Sequence, residues 1–297
     1  MRGGYNNMPR ILIAGCGYVG EAAADLYHAA GWAVEGWTRS AESAVALSAK
    51  PYPICAVDIS RRARVAERTG TFDAVIHCAS SSGGDAEIYR QVYLDGARNL
   101  LEVFPGSKLL FTSSTSVYAQ RDGSWVTEES ETKPTRETSQ ILLETEGLVL
   151  GNGGIVARLA GIYGPERSAL LTKFVEGTAI IDAENDRFVN QVHRDDIAAA
   201  LFLLSSHELK GAGIYNVVDD QPMSQSECYR WLAQRLNRPL PPVGKSKQRR
   251  KRGDSNKRVS NAKLRRSGWT PRYPTFPEAM EKSILPSFAG VVRDLSC

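Results

Sequence analysis

The 297-residue sequence lacks a long uninterrupted apolar run, closely spaced cysteines and any internal repeat. A membrane-spanning helix needs about 20 consecutive apolar residues, and no stretch of that kind is present. The five cysteines stand far apart along the chain, which argues against a disulfide framework and against a zinc site. We therefore expect reduced thiols, a cytoplasmic location, no bound metal and no contact with a membrane.

Charge is ordinary in amount, but it is unevenly placed. The formal net charge is +4, whereas residues 245–258 alone contain eight lysines and arginines against one aspartate. Since no basic stripe occurs elsewhere, we do not expect nucleic-acid binding. The basic run is interpreted as a solvated loop. The alternative is that it binds an anionic substrate.

Short apolar runs alternate with helical patterns through the first half of the chain. Strands are predicted over 10–14, 33–37, 54–57, 74–78, 108–113 and 154–159, and helices over 20–30, 41–49, 89–104 and 139–150. This alternation predicts an α/β fold with a doubly wound parallel Rossmann sheet over residues 1–165. Residues 166–297 are less regular, and they predict a small C-terminal substrate cap that is partly interleaved with the sheet domain.

A glycine-rich turn follows the first predicted strand. Residues 11–20 read ILIAGCGYVG, which is a strand, a G-x-G-x-x-G turn and the start of a helix. Gly15 permits the tight turn, Gly17 lets the backbone approach a pyrophosphate, and Gly20 allows the helix to pack closely on the strand. Unpaired N–H groups and the positive end of the helix dipole then face the phosphates. The pattern predicts a dinucleotide site.

The end of the second predicted strand indicates which dinucleotide binds. An acidic residue there bonds the ribose hydroxyls of NAD, whereas an arginine accommodates the 2′-phosphate of NADP. Thr38 stands where the acid would be and Arg39 follows it, which favours NADP over NAD. The alternative is that Arg39 is a solvated loop residue and that Glu35, inside the strand, supplies the acid. Asp58, after the third strand, is placed either to contact the adenine amino group or to stabilise a turn.

Further segments carry a resemblance to a known family. They read VIHCAS at 75–80, GARNLLE at 96–102, FTSSTSVY at 111–118, RLAGIYGP at 158–165 and VHRDDIA at 192–198. In this order and spacing the chain resembles the extended short-chain dehydrogenase/reductases, also called the NAD-dependent epimerase/dehydratase family. The segment KRVSNAKL at 257–264 and the pair Gly268-Trp269 are most similar to an atypical branch, which keeps the cofactor fold and varies the catalytic residues.

The resemblance implies a set of cofactor contacts and an oligomeric state. The contacts would come from the glycine turn, from the ends of neighbouring strands and from the start of the cap, which together comprise Gly15, Gly17, Tyr18, Val19, Gly20, Thr38, Arg39, Asp58, Ala79 and Tyr163. A homodimer through the helices predicted at 89–104 and 139–150 is also implied.

The catalytic pair that is usual in the family is missing. Its chemistry needs a serine together with a tyrosine and a lysine spaced Y-x-x-x-K, in which the lysine lowers the pKa of the tyrosine. Ser114 matches the serine. Aligned back from Glu144, the tyrosine position is Arg136 and the lysine position is Gln140. Tyr93 stands where the crossover helix often carries an asparagine.

Three explanations of the missing pair stay open. Tyr118, four residues after Ser114, could move the proton, or it could only shape the substrate wall. Arg136 could stabilise negative charge, since a guanidinium is too basic to be a general base. The third explanation is that no catalysis occurs. His77, His193 and Cys16 are interpreted as packed structural residues.

These observations predict an NADP-binding oxidoreductase or epimerase-like enzyme that acts on a small polar or sugar-like substrate. The alternative is a catalytically silent NADP-binding sensor or scaffold protein. The identity of the substrate does not follow from the sequence, because fold alone does not determine the reaction.

Overall fold

Strands and helices alternate along the chain, as the apolar runs predict. The structure, a computed structural model, describes residues 8–206, 212–245 and 255–288. The strands of these residues are β1 (Arg10–Ala14), β2 (Ala33–Thr38), β3 (Ile54–Ala56), β4 (Ala74–His77), β5 (Lys108–Ser114), β6 (Trp125–Val126), β7 (Ile155–Leu159), β8 (Gly161–Tyr163), β9 (Phe188–Val189), β10 (Gln191–His193), β11 (Gly213–Val217), β12 (Met223–Ser224) and β13 (Arg258–Val259).

The α-helices among the described residues range in length from a single turn to about four turns. They are α1 (Tyr18–Ala29), α2 (Ala41–Ala46), α3 (Arg62–Ala66), α4 (Ala86–Tyr89), α5 (Gly96–Val103), α6 (Glu137–Gly151), α7 (Ala169–Val175), α8 (Arg194–Ser205), α9 (Gln225–Arg235), α10 (Ala262–Arg266), α11 (Phe276–Ala279) and α12 (Leu285–Ser287). Two π-helical segments, Arg90–Asp95 and Met280–Ile284, join α4 to α5 and α11 to α12.

The central sheet has seven strands in the order β11-β7-β5-β4-β1-β2-β3. β1 pairs in parallel with β2 and β4, and the pairs β2–β3 and β4–β5 are parallel as well. β1 and β4 are buried along nearly their whole length, because helices cover both faces of a parallel sheet and exclude water from it. The predicted Rossmann-like α/β fold is therefore confirmed.

The chain divides into two compact units. Unit 1 comprises the residues up to Val117, Lys133–Arg158 and Ile197–Tyr215, and unit 2 comprises Tyr118–Thr132, Leu159–Asp196 and the residues from Asn216 onward. A cluster of buried apolar side chains from α7, α9 and α11, together with neighbouring segments, forms the core of unit 2. Small ladders add to this unit, among them β6 with β13 and β8 with β10.

The crossover between β4 and β5 differs from the single helix predicted at 89–104. The structure places α4, the π-helical turn Arg90–Asp95 and α5 in succession. A π-turn inserts one extra residue per turn, so the side chains that follow it are rotated relative to a continuous α-helix. Apolar spacing at a period of 3.6 residues does not reveal this insertion.

The described residues contain neither a candidate membrane span nor a candidate metal cluster. None of the helices within 8–206, 212–245 and 255–288 combines the length and the apolar character that a membrane span requires. In the same part of the chain, histidine, cysteine and carboxylate side chains form no group of three or more that could hold a metal ion.

Candidate functional site

The glycine turn is tightly constrained on the side that faces the protein. Gly15 has φ +105°, and its N–H and that of Cys16 both donate to the carbonyl oxygen of Trp37. A Cβ on Gly15 would lie 2.2 Å from the backbone nitrogen of Ala79, and one on Gly20 would lie 2.2 Å from the carbonyl oxygen of Gly15. Both positions therefore exclude every side chain, and Ala79 is held against the turn.

The same turn is open on its other side, at Gly17. A Cβ built on this residue meets no heavy atom within 4 Å. Gly17 is the N-cap of the 12-residue helix α1 and provides no capping side chain. The first N–H groups of a helix lack partners within it, and the helix dipole is positive at this end. The turn thus leaves an uncrowded, electropositive space next to Tyr18, Val19 and Gly20, which suits a pyrophosphate.

The β2–α2 connection carries a cation and no carboxylate. The buried Thr38 hydroxyl donates to the carbonyl oxygen of Ser40 at 3.1 Å. Arg39 is exposed, and it makes no ion pair with the residues that the structure describes. Glu35 lies three residues before Thr38, inside β2, and its carboxylate accepts the Trp37 indole N–H at 2.7 Å. A guanidinium beside hydroxyl groups is therefore available at the end of β2.

Asp58 lies in a tight turn after β3. Its Oδ1 accepts the backbone N–H of Ser60 at 3.1 Å and the Ser60 hydroxyl at 2.7 Å, and its Oδ2 lies 3.5 Å from the guanidinium of Arg61. These contacts are those of a turn aspartate. The predicted contact between Asp58 and adenine stays a prediction.

Ser114 is the last residue of β5 and lies in unit 1. Its hydroxyl oxygen accepts the N–H of Ser116 at 3.2 Å, and the hydroxyl of Ser139, on α6, donates to that of Ser116 at 3.4 Å. Arg136 is the exposed N-cap of α6, and Gln140 is exposed one turn later. The Ser114 hydroxyl is thus held by the backbone of Ser116, and the position of the usual lysine carries a neutral amide.

Tyr118, in unit 2, is only 1% exposed. Its phenol donates to Oδ1 of Asn216 at 2.8 Å, and the Asn216 amide donates to the carbonyl oxygen of Ser260 at 3.2 Å. Because this phenolic proton is already donated within the protein, the contacts favour the alternative in which Tyr118 shapes the surrounding wall. Its predicted role in proton transfer stays a prediction.

Tyr163 belongs to the apolar cluster of unit 2. Its ring stacks on Phe276 at 6.4 Å and meets His193 edge-on at 6.0 Å. The buried hydroxyl has no hydrogen-bond partner among the described residues, and burial raises the pKa of the Tyr163 phenol well above its usual value. The predicted contact with the cofactor stays a prediction.

The residues interpreted as structural are buried and neutral. Burial lowers the pKa of His77 to about 4 and that of His193 to about 4. Burial also raises the pKa of the Cys16 thiol to about 12, so the thiolate that a nucleophile needs does not form near neutral pH. These environments agree with packing roles.

The basic run contains a buried lysine that its sequence does not indicate. Residues 246–254 of the run lie outside the described residues, but Lys257 is only 5% exposed and donates from Nζ to the carbonyl oxygen of Tyr118 at 2.9 Å. Burial lowers the pKa of Lys257 to about 8, and the charge of Arg187 adds to this effect. Its neighbour Tyr118 is 139 residues away in the sequence, which is why local composition does not indicate the burial.

We expect the variant Lys257→Met to change how unfolding depends on pH. The pKa of Lys257 is about 8 in the folded chain and 10.5 as its ordinary value. Below pH 8 both states are protonated, and the folded state bears the full cost of the buried charge. Between these pKa values the unfolded chain binds more protons, so the wild type gains about 3 kcal/mol of stability as pH rises. The variant lacks this gain.

Urea unfolding of both proteins at several pH values between 7 and 10.5 measures the difference. Lys282→Met serves as the control, because the Lys282 side chain is exposed and only pairs with Glu278 on the helix surface. Parallel pH profiles for the wild type and Lys257→Met would contradict the assigned burial of the charge.

The chain is similar to a known family and to known proteins. Residues 11–141 match the model of the NAD dependent epimerase/dehydratase family. Protein YeeZ of Escherichia coli K12 is 28% identical over an alignment of 248 residues, and the match covers 77% of this chain and 84% of that protein. A Methylobacillus flagellatus structure, assigned as an NAD-dependent epimerase/dehydratase, is 26% identical with a TM-score of 0.72, covering 97% of this chain and 99% of its own.

A third protein is similar in fold. The dTDP-glucose 4,6-dehydratase of Bacillus anthracis, solved in complex with NAD, is 17% identical with a TM-score of 0.78. The match covers 95% of this chain and 97% of the dehydratase. At this identity the match demonstrates a common fold only.

Proposed function

We propose that this chain, whose residues 11–141 match the model of the NAD dependent epimerase/dehydratase family, binds NADP and acts as an oxidoreductase or epimerase-like enzyme. The observation that carries the proposal is the glycine turn. Gly15 and Gly20 are too crowded for any side chain, while the space at Gly17 is open beside the positive end of α1. The bound cofactor would supply hydride transfer, and the turn would hold its pyrophosphate.

The preference for NADP rests on the end of β2. Thr38 takes the place of the carboxylate that would repel a 2′-phosphate, and the exposed guanidinium of Arg39 is available to pair with one. The structurally similar dehydratase was solved with NAD, so this preference is proposed for the present chain on its own residues. Asp58 and Ala79 complete the proposed cofactor contacts in unit 1.

The proposed substrate is a small polar or sugar-like molecule. The dTDP-glucose 4,6-dehydratase of similar fold is named for a sugar-nucleotide substrate, and we extend that substrate class to this chain as part of the proposal. Ser114 would hydrogen-bond a substrate oxygen, and Arg136, exposed at the N-cap of α6, would stabilise a negative charge. We keep the division into a cofactor-binding region at 1–165 and a substrate-selecting region at 166–297 as part of this proposal.

A panel of carbonyl compounds and sugar nucleotides tests the reaction, with cofactor absorbance as the readout. We expect turnover by the wild type and a loss of about 100-fold in kcat for Ser114→Ala, since a hydrogen bond to developing charge contributes about that much. Ser48→Ala is the control, because Ser48 is exposed in the turn after α2. Tyr118→Phe decides whether that phenol takes part, because unchanged turnover removes it from the reaction.

The silent sensor or scaffold is the competing account. It is favoured by the neutral Gln140 and the charged Arg136 at the positions of the usual pair. Stoichiometric cofactor binding without hydride transfer to any member of the panel would support it and would contradict the enzymatic proposal.

A further inference from the structure

The strand order determines where each half of a bound dinucleotide would lie. The glycine turn follows β1, and Arg39 follows β2, which lies on one side of β1. If the adenosine half extends toward Arg39, the nicotinamide half extends over the other neighbours of β1, which are β4 and then β5. Open α/β sheets bind their ligands at these carboxyl ends. A proton donor is therefore needed near the ends of β4 and β5.

Tyr93 lies at the carboxyl end of β4, beside the middle of β5. Its ring stacks against His77, the last residue of β4, with centroids 6.2 Å apart, and meets Phe111 of β5 edge-on at 6.1 Å. The Tyr93 hydroxyl accepts the N–H of Ser81, in the loop after β4, at 3.4 Å. Phe111 pairs with His77 across the strands, and Ser114 follows Phe111 by three residues. Tyr93 and Ser114 thus belong to the same edge of the sheet.

The π-helical turn Arg90–Asp95 holds Tyr93 in this place. The Nε2 atom of His77 lies 3.1 Å from the carbonyl oxygen of Val92. Because the buried ring is neutral and a carbonyl can only accept, Nε2 carries the proton and donates it to Val92. Gly96 follows the turn, where a Cβ would lie 3.2 Å from His77 Nε2. Single π-turns frequently occur at functional sites, since they re-aim the neighbouring side chains.

The phenolic proton of Tyr93 is still available. The hydroxyl accepts from Ser81 but donates to none of the described residues, and the side chain is only partly buried. The phenolic proton of Tyr118 is not available in this way, because it is donated to Asn216. The Tyr163 side chain is not accessible to a substrate, because it lies within the apolar core of unit 2.

We propose that Tyr93 is the proton donor and acceptor that replaces the missing tyrosine–lysine pair. This inference rests on the proposed function. In the reducing direction a bound dihydronicotinamide would supply a hydride to a substrate carbonyl carbon, and Tyr93 would donate its phenolic proton to the carbonyl oxygen, so that C=O becomes CH–OH. The O–H bond of Tyr93 breaks, and its phenolate accepts the N–H of Ser81 until water returns the proton.

Carbon-13 NMR of protein labelled at the tyrosine ζ carbons tests this placement without a substrate. Tyr93→Phe assigns the Tyr93 signal, whose pKa is then measured in the free protein and with NADP⁺ or NADPH. The oxidised nicotinamide is positively charged and would favour the nearby phenolate, so we expect NADP⁺ to lower the pKa of Tyr93 by about one unit or more. NADPH has a neutral ring and should not produce this drop.

Tyr89 provides the matched control. Its ring lies 5.0 Å from that of Tyr93 on the preceding helical turn, and Tyr89→Phe should leave the NADP⁺-dependent drop in place. His77, whose ring stacks on that of Tyr93, stays neutral through the alkaline range in which a phenol titrates, because burial lowers its pKa to about 4.

The outcomes separate this inference from the proposed function. Calorimetry that detects no binding of NADP⁺ or NADPH would overturn both. Binding of NADP⁺ with an unchanged pKa for Tyr93 would overturn the role of Tyr93 alone. On any substrate that the panel identifies, Tyr93→Phe should lower kcat by about 100-fold or more with unchanged cofactor affinity, and wild-type turnover by this variant would overturn the inference.

Discussion

Replacing Arg158 with alanine is expected to lower the free energy of unfolding by about 3–5 kcal/mol. Arg158, on β7, binds both carboxylate oxygens of Glu146 on α6 through Nε and Nη2, and the Ser113 hydroxyl donates to the same carboxylate at 2.5 Å. The side chains of the pair are 4% and 3% exposed. Removal of the guanidinium would leave a buried carboxylate with only a serine to bond it.

A second pair on the same helix provides the control. Glu144, two residues before Glu146, pairs with Arg90 where both side chains are about half exposed. Glu144→Ala should therefore cost about 0–1 kcal/mol. Urea unfolding of the two variants measures the difference. If Arg158→Ala lowers the free energy of unfolding by less than about 1 kcal/mol, the Arg158–Glu146 pair does not stabilise the packing of α6 on the sheet as proposed.

The variant Gly17→Val is expected to abolish cofactor binding while the chain still folds. The backbone of Gly17, at φ −105° and ψ −150°, is extended and suits a β-branched residue. A Cβ built on Gly17 meets no heavy atom within 4 Å. The added side chain would instead occupy the space that we assign to the pyrophosphate. We expect NADPH affinity to fall by about 100-fold or more, which corresponds to about 2.7 kcal/mol.

Gly106→Val is the matched control for this experiment. A Cβ on Gly106 is equally unobstructed, its φ lies outside the left-handed region, and it stands in the turn before β5, away from the glycine turn. Both variants should unfold within about 4 °C of the wild type, since no contact is lost. Full NADPH affinity in folded Gly17→Val would show that the pyrophosphate lies elsewhere.

The sheet of unit 1 could be predicted because its signals are local. Strands β1 to β5 lie within one residue of the predicted ends, since each is a short apolar run bounded by polar or glycine residues. The glycine turn could be predicted for the same reason, because a strand, three glycines and a helix follow one another directly in the sequence. The short helices α10 to α12 were missed, since runs of three to five residues contain too little periodicity to predict a helix.

The environments of the candidate catalytic residues could not be predicted, because they depend on distant parts of the chain. Tyr118 bonds Asn216, 98 residues away, and Lys257 is buried against the carbonyl of Tyr118, 139 residues away. Tyr93 was visible only as a departure from an asparagine. Its position depends on a π-turn and on His77 beneath it, and neither has a signature in apolar periodicity.

Titration of the wild-type chain with NADPH and, separately, with NADH in a calorimeter tests the central claim most directly. We predict saturable binding of one NADPH per chain and weaker binding of NADH, because Arg39 would pair with the 2′-phosphate and Thr38 would not repel it. Equal affinities would contradict the role of Arg39. Absence of saturable binding by either dinucleotide would contradict the assignment of the glycine turn as a cofactor site.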